Sequence, residues 1–345
     1  HLDTSKFPDD ELSLRNPADP IYHQAWLEGE YLIGEGVLND KGPMAAFLIA
    51  AKAIKQAGVS LSGDVILTMA PGEIGQEPVD EFASPAYLSK EVSTRYLISR
   101  GVIADYVVVA EGTNFQLAWT AAGKAFFKVT VYGRGIYTPL MPPRGELRDS
   151  PNAIVKMAAV IDALEQWAAR YESDNTVDTP GGRVVPKANI GAIRGGNPFK
   201  IISSSEVCSV YVDVRLAPGA DPLALRADLR RILAELDVDG DVELFTFRKA
   251  QVADGVDALV DSITRVHQVL GMDEPGMADP TFSSMWRDHI AFIEAGIPAL
   301  TYGPGAASSS ARLAMRIDDL VQAAQLYALI ALDICTRTKD RPPSA

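Results

Sequence analysis

Cysteine is nearly missing from these 345 residues, with Cys208 and Cys335 the only two. That excludes a disulfide framework and a C-x-x-C metal pair, and it fits a reduced, cytoplasmic setting. Long hydrophobic runs are missing as well. No stretch of ~18 apolar residues occurs, so nothing reads as a membrane span. Basic residues fall short of acidic ones, 32 Lys and Arg against 45 Asp and Glu, for a formal net charge of −13. Phosphate binding needs a concentrated positive field, so nucleic acid is not an expected partner. There is no internal repeat and no low-complexity tract. What remains is globular, 47% hydrophobic and 22% charged, which excludes disorder and collagen-like repeats. A chain of this length usually divides, and two domains are expected.

The apolar pattern shows where it divides. Residues 64–70 (DVILTMA) and 105–110 (DYVVVA) are short apolar runs that read as strands buried on both faces. Between Gly42 and Gly58 the period becomes helical. Pro43 suits a first turn, Met44, Phe47, Leu48, Ala51 and Ile54 share one face, and Gly58 suits the stop. This succession predicts a mostly parallel sheet covered by helices. The middle alternates with period two instead. Strands are predicted at 125–132, 188–194, 207–216 and 242–248, with helices at 151–171 and from Asp221-Pro222 onward. That β-α-β-β-α-β order belongs to a ferredoxin-like α+β unit. A helix near 255–270, a strand at 297–302 and a helix at 318–336 then restore the buried pattern. The expected fold is α/β: a catalytic domain from 1–122 and 250–345, with an α+β domain inserted at 123–249.

Polar residues gather at strand ends of the larger domain, where open α/β sheets place their ligands. His1 and Asp3 are two apart on a strand and point the same way, so the carboxylate could fix the tautomer of a metal-ligating imidazole. Residues 34–42 (GEGVLNDKG) precede a helix, with glycines for close backbone approach; on spacing alone a capped turn explains them better. Glu73 follows the strand ending at Ala70 and could be a metal ligand or a general base. Glu111 ends the apolar run 105–110.

Taken in chain order, these segments resemble a family of co-catalytic metallopeptidases. The family includes aminoacylases, acetylornithine deacetylase, succinyl-diaminopimelate desuccinylase and glutamate carboxypeptidase. HLDT is similar to its G-H-x-D, GEGVLNDKGPMAA to G-R-G-x-x-D-x-K-G-x-x-A-A, PGEIG to D-E-E-x-G, and VVVAEGT to G-E-P-T. Gly133 to Thr138 lies where the family has G-R-A-A-H-S. Ile193 to Gly196 and Asp213 to Arg215 match I-x-G-G and D-x-R, and Arg287-Asp288 with AGIPALTYGPG matches T-D…AGIPxxxFGPG. The resemblance covers nearly the whole chain. It implies that the inserted domain is a lid and dimerisation domain, giving a homodimer or larger homo-oligomer. It also implies amide hydrolysis by metal-bound water, activated by a glutamate, while metal polarises the carbonyl. Many members hold two ions bridged by the aspartate of D-x-K-G.

This chain departs from that pattern. Lys41-Gly42 sets the register, so Asn39 stands at the bridging position, with Asp40 beside it. The D-E-E pair shrinks to Glu73, which one alignment makes the ligand and another the base. The last histidine ligand is missing from residues 306–315 (AASSSARLAM), and the lid histidine that helps hold the oxyanion is Tyr137. Two dications ~3.5 Å apart repel by roughly 19 kcal/mol at an effective dielectric of ~20, and a bridging carboxylate offsets much of that. Without the bridge one labile divalent ion is expected, manganese or zinc, with cobalt as a further option. Its ligands would be His1 and Glu111, with Asn39 or Asp40, and Glu73.

Three more residues bear on substrate. Arg287 could grip a carboxylate, or pair structurally with Asp288. Lys200 lies near the position where relatives contact a substrate carboxylate across the dimer, though a solvated lysine is as ordinary. His289 lies where the family builds its site. His23 and His267 read as structural. Residues 76–94 form a long connection that could wall the pocket or lie solvated.

The expected function is a metal-dependent hydrolase of an amide or related C–N bond in a small carboxylate-bearing substrate. Glu73, Asp3 and Tyr137 would be the catalytic groups, and Arg287, Lys200 and His289 the substrate-binding ones. The alternatives are a hydrolytic deaminase of an activated aromatic amino acid, like nitroanthranilate aminohydrolase, and a non-catalytic binder of small acids.

Overall fold

The computed structural model describes residues 2, 16, 18–74, 79–80, 92–305 and 313–337. His1 and Asp3 therefore lie outside the described residues, as do most of residues 76–94 and of 306–315.

The middle of the chain forms a four-stranded antiparallel sheet. Its spatial order is Gly240–Arg248, Gly123–Tyr132, Val207–Leu216, Ala188–Gly195. Alternation along the strands sends Phe127, Val129, Val131, Val210, Val212 and Val214 to one buried face. Two helices cover that face. Ala153–Asn175 contributes Met157, Val160, Leu164 and Trp167, and Pro222–Glu235 contributes Leu225, Leu229 and Leu233. Both helices start as their sequences predict. Asn152 accepts a hydrogen bond of 3.0 Å from the Ile154 amide, and Asp221 one of 2.9 Å from the Leu223 amide. Full burial of a leucine such as Leu229 stabilises by about 2 kcal/mol, so this unit has a core of its own.

The remaining elements build a second core. Helix Gly42–Ala57 brings Ala46 and Ala50, Asp257–Leu270 brings Leu259, Ile263 and Val266, and Ile317–Cys335 brings Ala323, Leu326, Tyr327 and Ile330. They pack around Leu300 and Tyr302. Strand Val107–Val109 runs parallel to Ala299–Thr301, and a short antiparallel sheet joins Trp26–Glu28, Tyr31–Ile33 and Ala314–Arg316.

The expected mostly parallel sheet needs correcting here. Val107–Val109 with Ala299–Thr301 is the one parallel strand pair among the described residues, and the other ladders are antiparallel. Residues 64–70 carry no strand ladder, and Val65, Ile66, Leu67 and Met69 are exposed rather than buried on both faces. The physical reason is that no strand among the described residues pairs with this run. A strand is buried on both faces only when elements flank it, and an apolar cavity of about 230 Å³ lies between residues 64–68 and Val107–Val108. Phe47, Ile54, Leu259 and Tyr327 wall that cavity, and neither Glu73 nor Glu111 lines it.

Candidate active site

Two turns carry the first acids. Ahead of helix Gly42–Ala57 the backbone makes a π-helical turn over Val37–Lys41, with Asn39 at φ −130° and ψ 88° and a cis Asn39–Asp40 peptide. In this turn Asp40 is buried and Asn39 is exposed. Glu73 follows Gly72, whose φ of +85° suits a residue without a Cβ, and its side chain is buried.

Glu111 sits just past strand Val107–Val109 and is buried. Its neighbourhood is fixed by backbone contacts. The Phe115 amide donates to the Gly303 carbonyl at 2.8 Å, and the Gly303 amide donates to Thr113 Oγ1 at 3.2 Å. This knits the EGT turn to the GPG turn after strand Ala299–Thr301.

Arg287 is 6% exposed. Its Nη1 makes an ion pair with Glu111 Oε2. Burial lowers its pKa, while the charges of Glu73 and Asp40 favour the protonated form. One carboxylate thus pairs with the guanidinium directly, and the charges of two others act on it. A buried cation without such partners would be prohibitively costly, and arginine keeps its proton even here. Beside it, Trp286 packs on Ala121 and Ile290, and Lys124 Nζ lies 5.2 Å from the Trp286 ring centroid.

His289 begins helix His289–Glu294 and is fully buried. Its Nδ1 shares a hydrogen bond of 2.7 Å with Thr301 Oγ1. Burial, helped by the Arg287 charge, pushes its pKa down to about 3, so the ring is neutral at physiological pH. Its Nε2 has no hydrogen-bond partner among the described residues.

The other expected site residues stand apart. Tyr137 is 52% exposed and bridges to Ser203, in the loop next to the exposed turn that carries Lys200. No hydrogen bond or ion pair among the described residues joins either one to Glu111 or Arg287. His267 is buried and bonded to Tyr302 Oη at 2.5 Å and to the Asp273 carbonyl at 2.6 Å. His23 is exposed.

Among the described residues, no group of three or more His, Cys, Asp or Glu side chains is arranged to hold a metal ion. One buried atom nevertheless fits a ligand's role, because Glu111 Oε1 has no hydrogen-bond partner among the described residues. The guanidinium sets the limit. A dication ~5 Å from it is repelled by roughly 7 kcal/mol at an effective dielectric of ~20, before ligands compensate. The guanidinium therefore disfavours a dication placed beside Glu111.

Sequence reasoning did not find the Arg287–Glu111 pair. The signal was an arginine set between Trp286 and Asp288, just ahead of the apolar run IAFI, which implies burial and so demands an anion.

A family model described as Peptidase family M20/M25/M40 matches residues 1–333. The chain is 24% identical to N-formyl-4-amino-5-aminomethyl-2-methylpyrimidine deformylase of Bacillus subtilis, over 99% of this chain and 79% of that protein. Its fold is similar to that of a Staphylococcus aureus tripeptidase, with a TM-score of 0.62 at 16% identity over 91% of this chain and 77% of the other. It is also similar to human carnosine dipeptidase 1, with a TM-score of 0.61 at 15% identity over 92% of this chain and 76% of the other.

Proposed function

The chain belongs to peptidase family M20/M25/M40, and from that premise we propose that it hydrolyses an amide or related C–N bond in a small carboxylate-bearing substrate. The observation that carries the reading is that Glu73, Glu111 and Asp40 are each buried in a chain matched by the family model over 1–333. Family members typically bind divalent metal, and the reading includes one labile ion of manganese, zinc or cobalt. When bound, such an ion polarises a scissile carbonyl and acidifies water.

The chain's own groups have these roles. Glu111, Asp40 or Asn39, and His1 would hold the ion, with Asp3 orienting the His1 ring. Glu73 takes the proton from the attacking water, or ligates. Tyr137, on the inserted domain at 123–249, donates its O–H to the developing oxyanion when that domain closes over the parts at 1–122 and 250–345. Lys200 and His289 bind the substrate's acid end. Arg287, already engaged by Glu111, contributes positive charge beside it. The inserted domain also forms a homodimer or larger homo-oligomer, and the protein works in the cytoplasm. No helix among the described residues is long and apolar enough to cross a membrane.

The name of the Bacillus relative supports an N-formyl amine as the substrate class to try beside N-acyl amino acids and dipeptides. The test is release of amine from that panel and from aminobenzoates, with chelator and then with Mn²⁺, Zn²⁺ or Co²⁺ restored. Turnover that falls with chelator and returns with metal is the expected result. Ammonia from aminobenzoates alone would favour the deaminase reading, and no turnover with any metal the non-catalytic one.

A further inference from the structure

We propose that Asp80 is a latch. Its carboxylate docks on Lys128 and Tyr211 of the four-stranded sheet and ties the chain just past Glu73 to that unit, away from where the unit joins the rest of the protein. The inference does not rest on the reaction proposed above.

The sheet builds the docking site. Lys128 and Tyr211 are paired across adjacent antiparallel strands, so both side chains stand on one face. It is the face away from the two helices, because the alternate residues Phe127, Val129, Val210 and Val212 lie in the core beneath those helices. Tyr211 is 6% exposed, and Lys128 Nζ lies 5.8 Å from its ring centroid. Asp80 supplies the acceptor. One carboxylate oxygen accepts from the Tyr211 hydroxyl, and the other from Lys128 Nζ at 2.9 Å. Arg194, on the neighbouring strand Ala188–Gly195, adds its charge in favour of the ionised acid. Glu243 is the cross-strand neighbour of Lys128 on its other side, yet Lys128 makes its ion pair with Asp80. With both oxygens engaged, the contact fixes orientation as well as position.

Its place on the sheet gives the consequence. The unit joins the rest of the chain at one end, where Gly123 opens one strand and Arg248 closes another. Contacts gather at that root. Val184 packs on Ala122 and Ala217, the Val185 amide donates to Ser284 Oγ at 2.8 Å, and Lys124 Nζ lies 5.2 Å from the Trp286 ring centroid. Lys128 stands four residues beyond Lys124 on the same strand, roughly 13 Å further out. Asp80 follows Glu73 by seven residues, a reach of roughly 25 Å at most. A contact that far from the root resists turning of the unit with a longer lever than the root contacts have. The Asp80 and Lys128 side chains keep 33% and 24% of their exposure, so the pair is partly solvated and opens readily. Open, it leaves the unit to turn about its root and frees the chain past Glu73 from the sheet.

The test is the distance distribution between two spin labels on the full chain, read by pulsed electron paramagnetic resonance. The labels go on Lys55→Cys in helix Gly42–Ala57 and Glu165→Cys in helix Ala153–Asn175, both exposed positions. The background carries Cys335→Ser, and the fully buried Cys208 stays. Asp80→Ala is expected to widen the distribution about twofold or more over the unmutated latch, as a unit with a small interface moves. Tyr211→Phe, which removes only the hydroxyl, is expected to widen it in the same direction. Glu235→Ala, an exposed acid at the end of helix Pro222–Glu235, is expected to leave it unchanged. A distribution of the same width with and without Asp80, or equal widening by Glu235→Ala, would overturn the latch. Should circular dichroism show Asp80→Ala to be unfolded, Tyr211→Phe decides on the same criterion.

Discussion

Gly303 lies so close beneath Glu111 that a Cβ at that position would collide with the Glu111 carbonyl oxygen and stand 2.8 Å from the Tyr327 hydroxyl. The turn after strand Ala299–Thr301 thereby supports the turn that carries the acid. The tyrosine is held in place, since Tyr327 Oη donates to the Tyr302 carbonyl at 3.0 Å. Gly303→Ala is expected to destabilise the protein by about 2 kcal/mol or more, as overpacked sites do. The urea midpoint reads this, and an unchanged midpoint would show that the two turns separate easily.

Glu111 and Arg287 are buried together, so breaking the pair leaves a charge without its counter-ion. In chelator-treated protein, Glu111→Gln is expected to cost about 3 kcal/mol or more. Arg287→Met in the same protein leaves the carboxylate unpaired, and the double variant is expected to recover part of the loss. A double-mutant cycle on denaturation midpoints measures the coupling, and additive losses would contradict a direct interaction.

His289 should make the protein acid-sensitive. Its folded pKa is pushed down to about 3, whereas a histidine in the unfolded chain titrates near ~6.5. Between those values the unfolded chain binds a proton that the folded one refuses. The contribution from neutral His289 is thus fully present above pH ~6.5 and falls as the pH drops toward the folded value, by up to ~1.4 kcal/mol per pH unit. His289→Asn, compared with wild type in metal-free protein, is expected to flatten the stability slope between about pH 6 and pH 4. Identical slopes would refute the assignment.

Asp80 ties the connection that follows Glu73 to the four-stranded sheet. It accepts from the Tyr211 hydroxyl and, at 2.9 Å, from Lys128 Nζ. The Tyr211 hydrogen bond first and the Lys128 bond second hold its carboxyl below the usual range. A depressed carboxylate contributes stability above its unfolded pKa and loses it as pH falls through the folded one. Asp80→Asn is expected to lower stability at neutral pH by less than ~1 kcal/mol, because the pair is partly solvated. That difference should shrink below about pH 4, as followed by thermal midpoint.

Much of the secondary structure was legible before any coordinates. The predicted helix between Gly42 and Gly58 is Gly42–Ala57, and the run 207–216 is strand Val207–Leu216. Helix caps and period-two alternation report on neighbours only a few residues away, so single-chain reasoning reaches them. The run 64–70 shows the limit. Its composition matches a buried strand, yet its burial depends on what flanks it in space, which composition does not encode.

The site divides in the same way. Residue identities alone established that a carboxylate follows each of two apolar runs, at Glu73 and Glu111. They also established that the D-x-K-G register holds Asn39 with Asp40 beside it, because these are facts of order along the chain. Only the tertiary structure decided that Asp40 is the buried member of that pair, and that Arg287 answers Glu111 rather than standing ready in solvent. Ion pairing between remote residues follows from where two turns meet after packing. A charge driven into an apolar interior takes whichever counter-charge the fold delivers there.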